Sequence, residues 1–150
     1  MDTYKIILDT LRQNSRLLDL YNQAATRLMA FCVKYKCAKE FRRVSATLHG
    51  HYEKILEAQK IPEMNAKIPY PVTLEDDEST TRLLDMRHIQ LENSLKMEEW
   101  QDAYRTSEVI YVLINLKRER DIKSYLEGFF RHLSSIFFKA DNILFHTYAL

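Results

Sequence analysis

The chain has 150 residues, a length that suits one domain and allows a sizeable core to be buried. It carries 22 Lys/Arg and 21 Asp/Glu, and a net charge of +1 excludes a strong overall field that would attract nucleic acid or a membrane. Hydrophobic residues make up 46% of the chain, with only two glycines and three prolines. Because turn formers are so scarce, the composition favours long helices over a sheet, and we predict an all-α fold.

Apolar side chains recur at helical spacing over the first sixty residues. A short helix is predicted from Tyr4 to Leu11, with Asn14 or Ser15 as the cap of a second helix that starts at Arg16. The apolar stripe of the second helix is Leu17, Tyr21, Ala24, Leu28, Phe31, Cys32 and Tyr35. A third helix carries Phe41, Val44, Ser45, Leu48, Tyr52, Ile55 and Leu56.

The helical pattern stops after residue 60. Pro62, Pro69 and Pro71 cannot lie inside a helix, and four consecutive acidic residues follow at 75–78. We therefore predict a Pro-rich, acidic and solvated linker at about 61–79. The linker is expected to lie within a single helical-repeat domain that covers residues 1–150.

Two further helices are predicted within Thr81–Lys117, separated by a short turn that makes them antiparallel. Their stripes are Leu84, His88, Leu91 and Leu95, then Trp100, Ala103, Tyr104, Ser107, Tyr111 and Ile114. An aromatic residue three positions before a small one, as in Trp100 and Ala103, is the spacing that tetratricopeptide repeats use where two helices approach. Phe41 and Val44 repeat this arrangement 59 residues earlier, which predicts two stacked antiparallel hairpins of one kind.

A sixth helix carries a heavy aromatic load. We expect Phe129 and Phe130 to join Phe41, Trp100 and Ala103 in the core. The apolar run Ile143–Leu150 opens a seventh helix without a closing cap, so the chain is expected to be a fragment of a longer protein.

The sequence offers no candidate for catalysis, for a metal or for a cofactor. The five histidines are scattered, and Cys32 with Cys37 lacks the four ligands of structural zinc. Adjacent carboxylates such as Glu98 and Glu99 diverge on an exposed turn. Since there is also no signal peptide and no apolar run of membrane-spanning length, we expect free thiols in a cytoplasmic protein.

The remaining candidate site is a basic cluster, Lys34, Lys36, Lys39, Arg42 and Arg43, to which Arg12 and Arg16 can be added. If Phe41 points to the core, Arg42 and Arg43 rotate away from it by about 100° and 200° and reach water. The cluster is either a solvated helix surface or a docking patch for RNA phosphates or an acidic protein. No exposed aromatic residue is predicted among these cations, which argues against base stacking.

An ordered set of segments resembles the largest subunit of eukaryotic translation initiation factor three. The segments are Ile7–Arg16, Phe31-Cys32 with Lys39–Arg43, Gln90-Leu91 with Met97–Tyr104, and Asn142–His146. The likeness covers nearly the whole chain, and it is the ordered set rather than any single motif that is specific.

The resemblance implies a right-handed, tetratricopeptide-like solenoid that leads into a winged helix, together called the PCI domain. It implies a non-catalytic scaffold in translation initiation that contacts sister subunits and the small ribosomal subunit, including rRNA or mRNA. Two alternatives stay open: an independent RNA-binding helical adaptor, and a PCI-type subunit of the proteasome lid or the COP9 signalosome.

Overall fold

A computed structural model describes residues 2–60, 69–116, 122–141 and 149. Every regular element in these ranges is helical, which confirms the all-α prediction. The α-helices of the described residues are α1 (Asp2–Leu11), α2 (Leu18–Lys34), α3 (Ala38–Lys60), α4 (Asp77–Lys96), α5 (Trp100–Leu116) and α6 (Ile122–Lys139), and a 3-10 turn (Ser15–Leu17) precedes α2. The predicted seventh helix lies outside the described residues except for Ala149.

The chain divides into two compact units, Met1–Met86 and Arg87–Leu150, and the division falls within α4. In the first unit α2 contacts both α1 and α3, and in the second unit α5 contacts α6. The prediction of a single domain over residues 1–150 and the right-handed stacking of its hairpins stay predictions.

The start of α2 follows the predicted local chemistry. The side-chain oxygen of Asn14 accepts a hydrogen bond from the Arg16 N–H at 3.0 Å, which confirms Asn14 as the cap. The capped turn is a 3-10 turn, so α2 begins at Leu18 rather than at Arg16.

The turns between α2 and α3 and between α4 and α5 share one backbone design. Lys36 (φ 52°) and Glu98 (φ 58°) adopt the left-handed conformation just after each helix. The next N–H donates to the carbonyl five positions back, from Cys37 to Cys32 and from Glu99 to Ser94, both at 2.9 Å. This is the Schellman motif, and it ends both helices without glycine.

These turns correct the predicted internal repeat. Lys36 and Glu98 are 62 residues apart, and the helices that follow begin at Ala38 and Trp100, again 62 apart. The counterpart of Phe41 is therefore Ala103 rather than Trp100, and both are completely buried. The 59-residue register was wrong because the aromatic residue stands at the first position of α5 but at the fourth position of α3.

Several aromatic residues predicted on buried stripes face outward instead. The buried face of α2 consists of Leu18, Tyr21, Ala25, Leu28, Met29 and Cys32. Phe31 on α2, Tyr35 directly after α2, and Tyr104 and Tyr111 on α5 are exposed. Each of these helices has two neighbouring apolar stripes, and the one that packs inward is rotated from the one that contains the aromatics.

The aromatic core of α6 also needs one correction. Phe129 is buried, but Phe130 is 42% exposed and does not belong to the core as predicted. The two rings lie edge to face at 5.4 Å. Adjacent residues of a helix point about 100° apart, and in α6 the inward direction falls on Phe129 rather than on Phe130.

The predicted linker ends earlier than the sequence suggested, because α4 begins at Asp77. The Asp76 carboxylate accepts hydrogen bonds from the Ser79 N–H at 2.9 Å and from the Ser79 hydroxyl at 2.6 Å. These bonds cap α4 and hold the pKa of Asp76 below its usual value. Residues 77–79 are therefore helical, and the acidic run begins a helix.

Residues 69–76 belong to the first unit and contact other parts of it, so they are not a purely solvated loop. Val72 is buried, and the Tyr70 carbonyl accepts a hydrogen bond from the Ser15 N–H at 2.9 Å. The Arg16 guanidinium lies 3.6 Å from the centroid of the Tyr70 ring. Residues 61–68 of the predicted linker lie outside the described ranges.

Trp100 is half-buried rather than fully buried, and the Lys139 ammonium lies 5.8 Å from its ring centroid. We expect Trp100→Ala to lower the free energy of unfolding by about 1–3 kcal/mol, less than the roughly 3–5 kcal/mol of a fully buried aromatic. Urea unfolding followed by circular dichroism measures the loss, since the variant has no tryptophan to report by fluorescence. A loss below about 0.5 kcal/mol, the range of surface substitutions, would show that the indole does not pack at all.

Candidate interaction surface

Four of the predicted cations lie together in sequence around the turn between α2 and α3. Lys36 occupies the left-handed position of the turn, and Lys39, Arg42 and Arg43 lie in the first two turns of α3. We call these four residues the basic corner. All four are exposed, and Arg42 and Arg43 reach water as predicted.

Burial of Phe41 fixes the direction of the basic corner. Phe41 is completely buried, so the start of α3 cannot rotate. At about 100° per residue, Lys39 and Arg43 lie nearly opposite the Phe41 side chain and Arg42 lies between them and the core. The cations therefore project from the outward side of α3.

One carboxylate partly offsets the positive charge. Glu40 lies 3.6 Å from the Arg43 guanidinium, and the two side chains are 30% and 60% exposed. The Glu40 oxygen that faces Arg43 is buried and accepts no hydrogen bond from the described residues, so the pair is only partly open to water.

Arg12 and Arg16 are engaged in contacts of their own. Arg12 forms an ion pair with Asp9 at 3.4 Å, and its side chain is 21% exposed. Arg16 stacks on Tyr70. The Arg12 pair is local to the end of α1, whereas the Arg16 contact joins two distant segments of the first unit, although the sequence had grouped both residues with the basic cluster.

A shallow cavity of about 250 Å³ opens beside Arg43. Leu8, Leu28 and Val44 line it from three helices, and Lys5, Glu40 and Arg43 supply its charged groups. It is smaller than the roughly 300–1,000 Å³ of a typical small-molecule site. Its size and open form suit a side chain of a partner rather than a cofactor.

The aromatic residues next to the basic corner contradict one sequence argument. Phe31 and Tyr35 are 50% and 57% exposed, and the Lys34 ammonium lies 5.4 Å from the centroid of the Tyr35 ring. Cations and exposed aromatics therefore do alternate at the end of α2. The prediction that they do not was wrong because Phe31 and Tyr35 had been assigned to the buried stripe.

A buried polar network in the first unit escaped sequence reasoning altogether. His51 is 4% exposed, with Nδ1 3.0 Å from the Tyr21 hydroxyl and Nε2 2.9 Å from the Asp9 carboxylate. Its partners lie 30 and 42 residues away, on α2 and α1. No local motif signals such a network.

The described residues give little support to metal or thiol chemistry. In the described ranges no group of three or more His, Cys, Asp or Glu side chains is placed to share a metal ion. Cys32 is completely buried, as predicted, and burial raises the pKa of its thiol. None of the helices in the described part of the chain is long and apolar enough to cross a membrane.

Comparison with known proteins shows which family the chain resembles, which the geometry of the surface alone does not. The family model described as eIF3a, PCI domain, TPR-like region matches residues 1–150. The A subunit of eukaryotic translation initiation factor 3 from Schizosaccharomyces pombe is 35% identical over 148 residues, which cover 99% of this chain and 15% of the relative. The A subunits of the same factor from Caenorhabditis briggsae and Yarrowia lipolytica are 32% and 33% identical, again over 99% of this chain and 14–15% of theirs. The chain thus spans about one-seventh of the length of these curated relatives.

Proposed function

Because the chain belongs to the PCI, TPR-like region of the eIF3a family, we propose that it is a non-catalytic scaffold segment of eukaryotic translation initiation factor 3 in the cytoplasm. In this role it binds sister subunits of the factor and contacts the small ribosomal subunit, through rRNA, mRNA or an acidic protein. The observation that carries the proposal is the family match over all 150 residues. Membership in this family sets aside a proteasome-lid or signalosome subunit.

The helical construction supports a scaffold. Long amphipathic helices joined by tight Schellman turns bury one face of each helix and leave the opposite faces to partners. The outward helix faces of the chain can therefore bind partners, and this role needs no preformed catalytic cavity. Partners of such a surface are recognised by shape and charge.

The basic corner is the part of this surface that we assign to anionic partners. Its four cations are exposed, and one of them, Arg43, lies beside the Glu40 carboxylate, whose side chain is 30% exposed. Phosphate oxygens of rRNA or carboxylates of an acidic protein offer the charge that matches them. Arg12 and Arg16 are left out because the Arg12 side chain is only 21% exposed and the Arg16 guanidinium stacks on the Tyr70 ring.

The test reverses the charge of the basic corner in the full-length protein. We expect Arg42→Glu with Arg43→Glu to weaken association with the small ribosomal subunit or sister subunits by a factor of at least about ten, because attraction becomes repulsion. The stability of the 150-residue chain should change by no more than about 1 kcal/mol, since exposed charges contribute little. A pull-down with identification of the bound proteins and a thermal melt measure the two quantities.

The matched control reverses two exposed cations on α6, Lys123→Glu with Arg131→Glu. It changes the net charge equally and should leave association intact. Equal binding by both double variants and the wild type would show that the basic corner is only solvated. A collapsed melt of the Arg42/Arg43 variant would show that these arginines support the fold.

A further inference from the structure

The outward face of α2 is unusually apolar for a helix surface. Leu20, Phe31 and Tyr35 are 50–57% exposed, and half-buried Ala24 lies between them. Exposed Arg27 and Lys34 complete the set. We call these six residues, from Leu20 to Tyr35, the α2 outer face.

Helix geometry makes these residues one continuous surface. At about 100° per residue, the six side chains fall within an arc of about 100° and extend over roughly 22 Å of helix. The buried stripe of α2 is centred about 120° around the helix from this surface. A surface helix normally places polar residues outside its buried stripe, and a contiguous exposed apolar patch marks an interaction site.

The aromatic part of the face is already arranged for contact. The rings of Phe31 and Tyr35 lie 4.6 Å apart at 46° to each other, and the Lys34 ammonium lies near Tyr35. Rings that support one another lose less conformational freedom on binding than isolated side chains. Tyr and Arg are among the residues that dominate binding energy at protein interfaces, and Phe is enriched in interface cores.

The charge of the face selects an acidic partner. Arg27 and Lys34 flank the apolar residues, and Lys36 follows directly after them. The only carboxylate in α2 belongs to Asp19, which forms an ion pair with Arg82. A partner with acidic residues beside its apolar ones would complement this surface.

The shape of the face favours a helix over a single-stranded RNA. Ridges of side chains spaced three and four residues apart fit the grooves of another helix, and Ala24 allows a close approach. A run of stacked bases needs rings along its whole path, but the rings of this face belong to Phe31 and Tyr35 at one end, and Leu20 and Ala24 offer no ring. The apolar stripe therefore matches a protein better than a nucleic acid.

We propose that the α2 outer face binds an amphipathic helix with acidic flanks from another protein. The apolar stripe of the partner packs on Leu20, Phe31 and Tyr35, and its carboxylates pair with Arg27 and Lys34. The inference rests on the proposed function only in that this partner is sought among the subunits of the assembled factor. It concerns a different surface from the basic corner, which lies on the turn and on α3.

The experiment places a photo-crosslinking residue in the face, Phe31→p-benzoylphenylalanine, in the full-length protein. The assembled factor is purified, irradiated and digested, and mass spectrometry identifies the peptide joined to position 31. The same probe at exposed Glu57 on α3 gives the background. We expect an adduct with an acidic, helical segment of one of the sister subunits, at a yield at least about fivefold above Glu57 because direct packing holds the probe against its target.

Charge reversal tests the ionic part of the proposal. Arg27→Glu with Lys34→Glu should lower the adduct yield at position 31 at least about tenfold, because like charges would then face each other. Lys123→Glu with Arg131→Glu, the control on α6, should leave the yield unchanged.

Several outcomes would overturn the inference. A ribonuclease-sensitive adduct would assign the face to RNA. A yield equal to that at Glu57, or an adduct with a basic segment, would show that no acidic helix binds there. If sister subunits copurify in these cases, the proposed function still stands; if they do not copurify with the wild-type protein, the proposed function fails instead.

Discussion

We expect Phe41→Ala to lower the free energy of unfolding by about 3–5 kcal/mol, the usual cost of deleting a fully buried aromatic ring. Phe41 is completely buried, and its N–H donates to the Cys37 carbonyl at 2.9 Å, so the ring lies where α3 leaves the turn. The loss is a large share of the roughly 5–15 kcal/mol that stabilises a typical domain. Urea unfolding followed by circular dichroism measures it.

Phe31 provides a matched control within the same unit. It is 50% exposed and stands ten residues before Phe41. Phe31→Ala should cost no more than about 1 kcal/mol, because the ring leaves water only in part. Equal losses for the two variants would mean that Phe41 does not anchor α3, and the outward direction of the basic corner would lose its support.

Sequence periodicity predicted helix positions more reliably than helix rotation. The stripe of α3 from Phe41 to Tyr52 is buried, because polar residues fill the opposite side of that helix. In α2, however, residues 24, 28, 31 and 35 and residues 21, 25, 28 and 32 both form apolar stripes. Periodicity does not decide between two such stripes, since the neighbouring helices determine which one becomes buried.

At the candidate sites, too, sequence reasoning was right where neighbouring residues in the chain decide the outcome and wrong where distant residues do. Exposure of Arg42 and Arg43 followed from the position of Phe41 next to them in the chain. The contact of Arg16 with Tyr70 joins residues 54 positions apart, and sequence reasoning had placed Arg16 with the basic cluster. The α2 outer face was missed because its aromatics were counted as core.

The second prediction with a large expected effect concerns the buried side chain of His51. The Asp9 carboxylate can only accept a hydrogen bond, so Nε2 of His51 carries the proton and Nδ1 accepts one from the Tyr21 hydroxyl. The ring satisfies both partners while it is neutral. Burial lowers the pKa of His51, and nearby Arg12 and Lys54 lower it further, although Asp9 opposes them.

We expect the free energy of unfolding to fall as the pH drops from about 7.5 to 5. The unfolded chain takes up a proton on His51 near pH 6.5, whereas the folded chain resists it until a lower pH. The stability that His51 contributes is thus present above pH 6.5 and is lost as the pH falls through its folded pKa. The slope for one such proton is at most about 1.4 kcal/mol per pH unit.

His51→Gln tests this assignment, since a glutamine side chain can donate to Asp9 and accept from Tyr21 without titrating. We expect the variant to lose much of the pH dependence between pH 7.5 and 5 in urea unfolding followed by circular dichroism. His132→Gln serves as the comparison, because burial also lowers the pKa of His132 in the second unit and its contribution should add to that of His51. The window ends at pH 5 so that Asp9, whose pKa is lowered by the His51 hydrogen bond against the effect of its own burial, stays ionised throughout. A wild-type slope that survives in His51→Gln would show that the network does not resist protonation, and that the buried ring is held by packing alone.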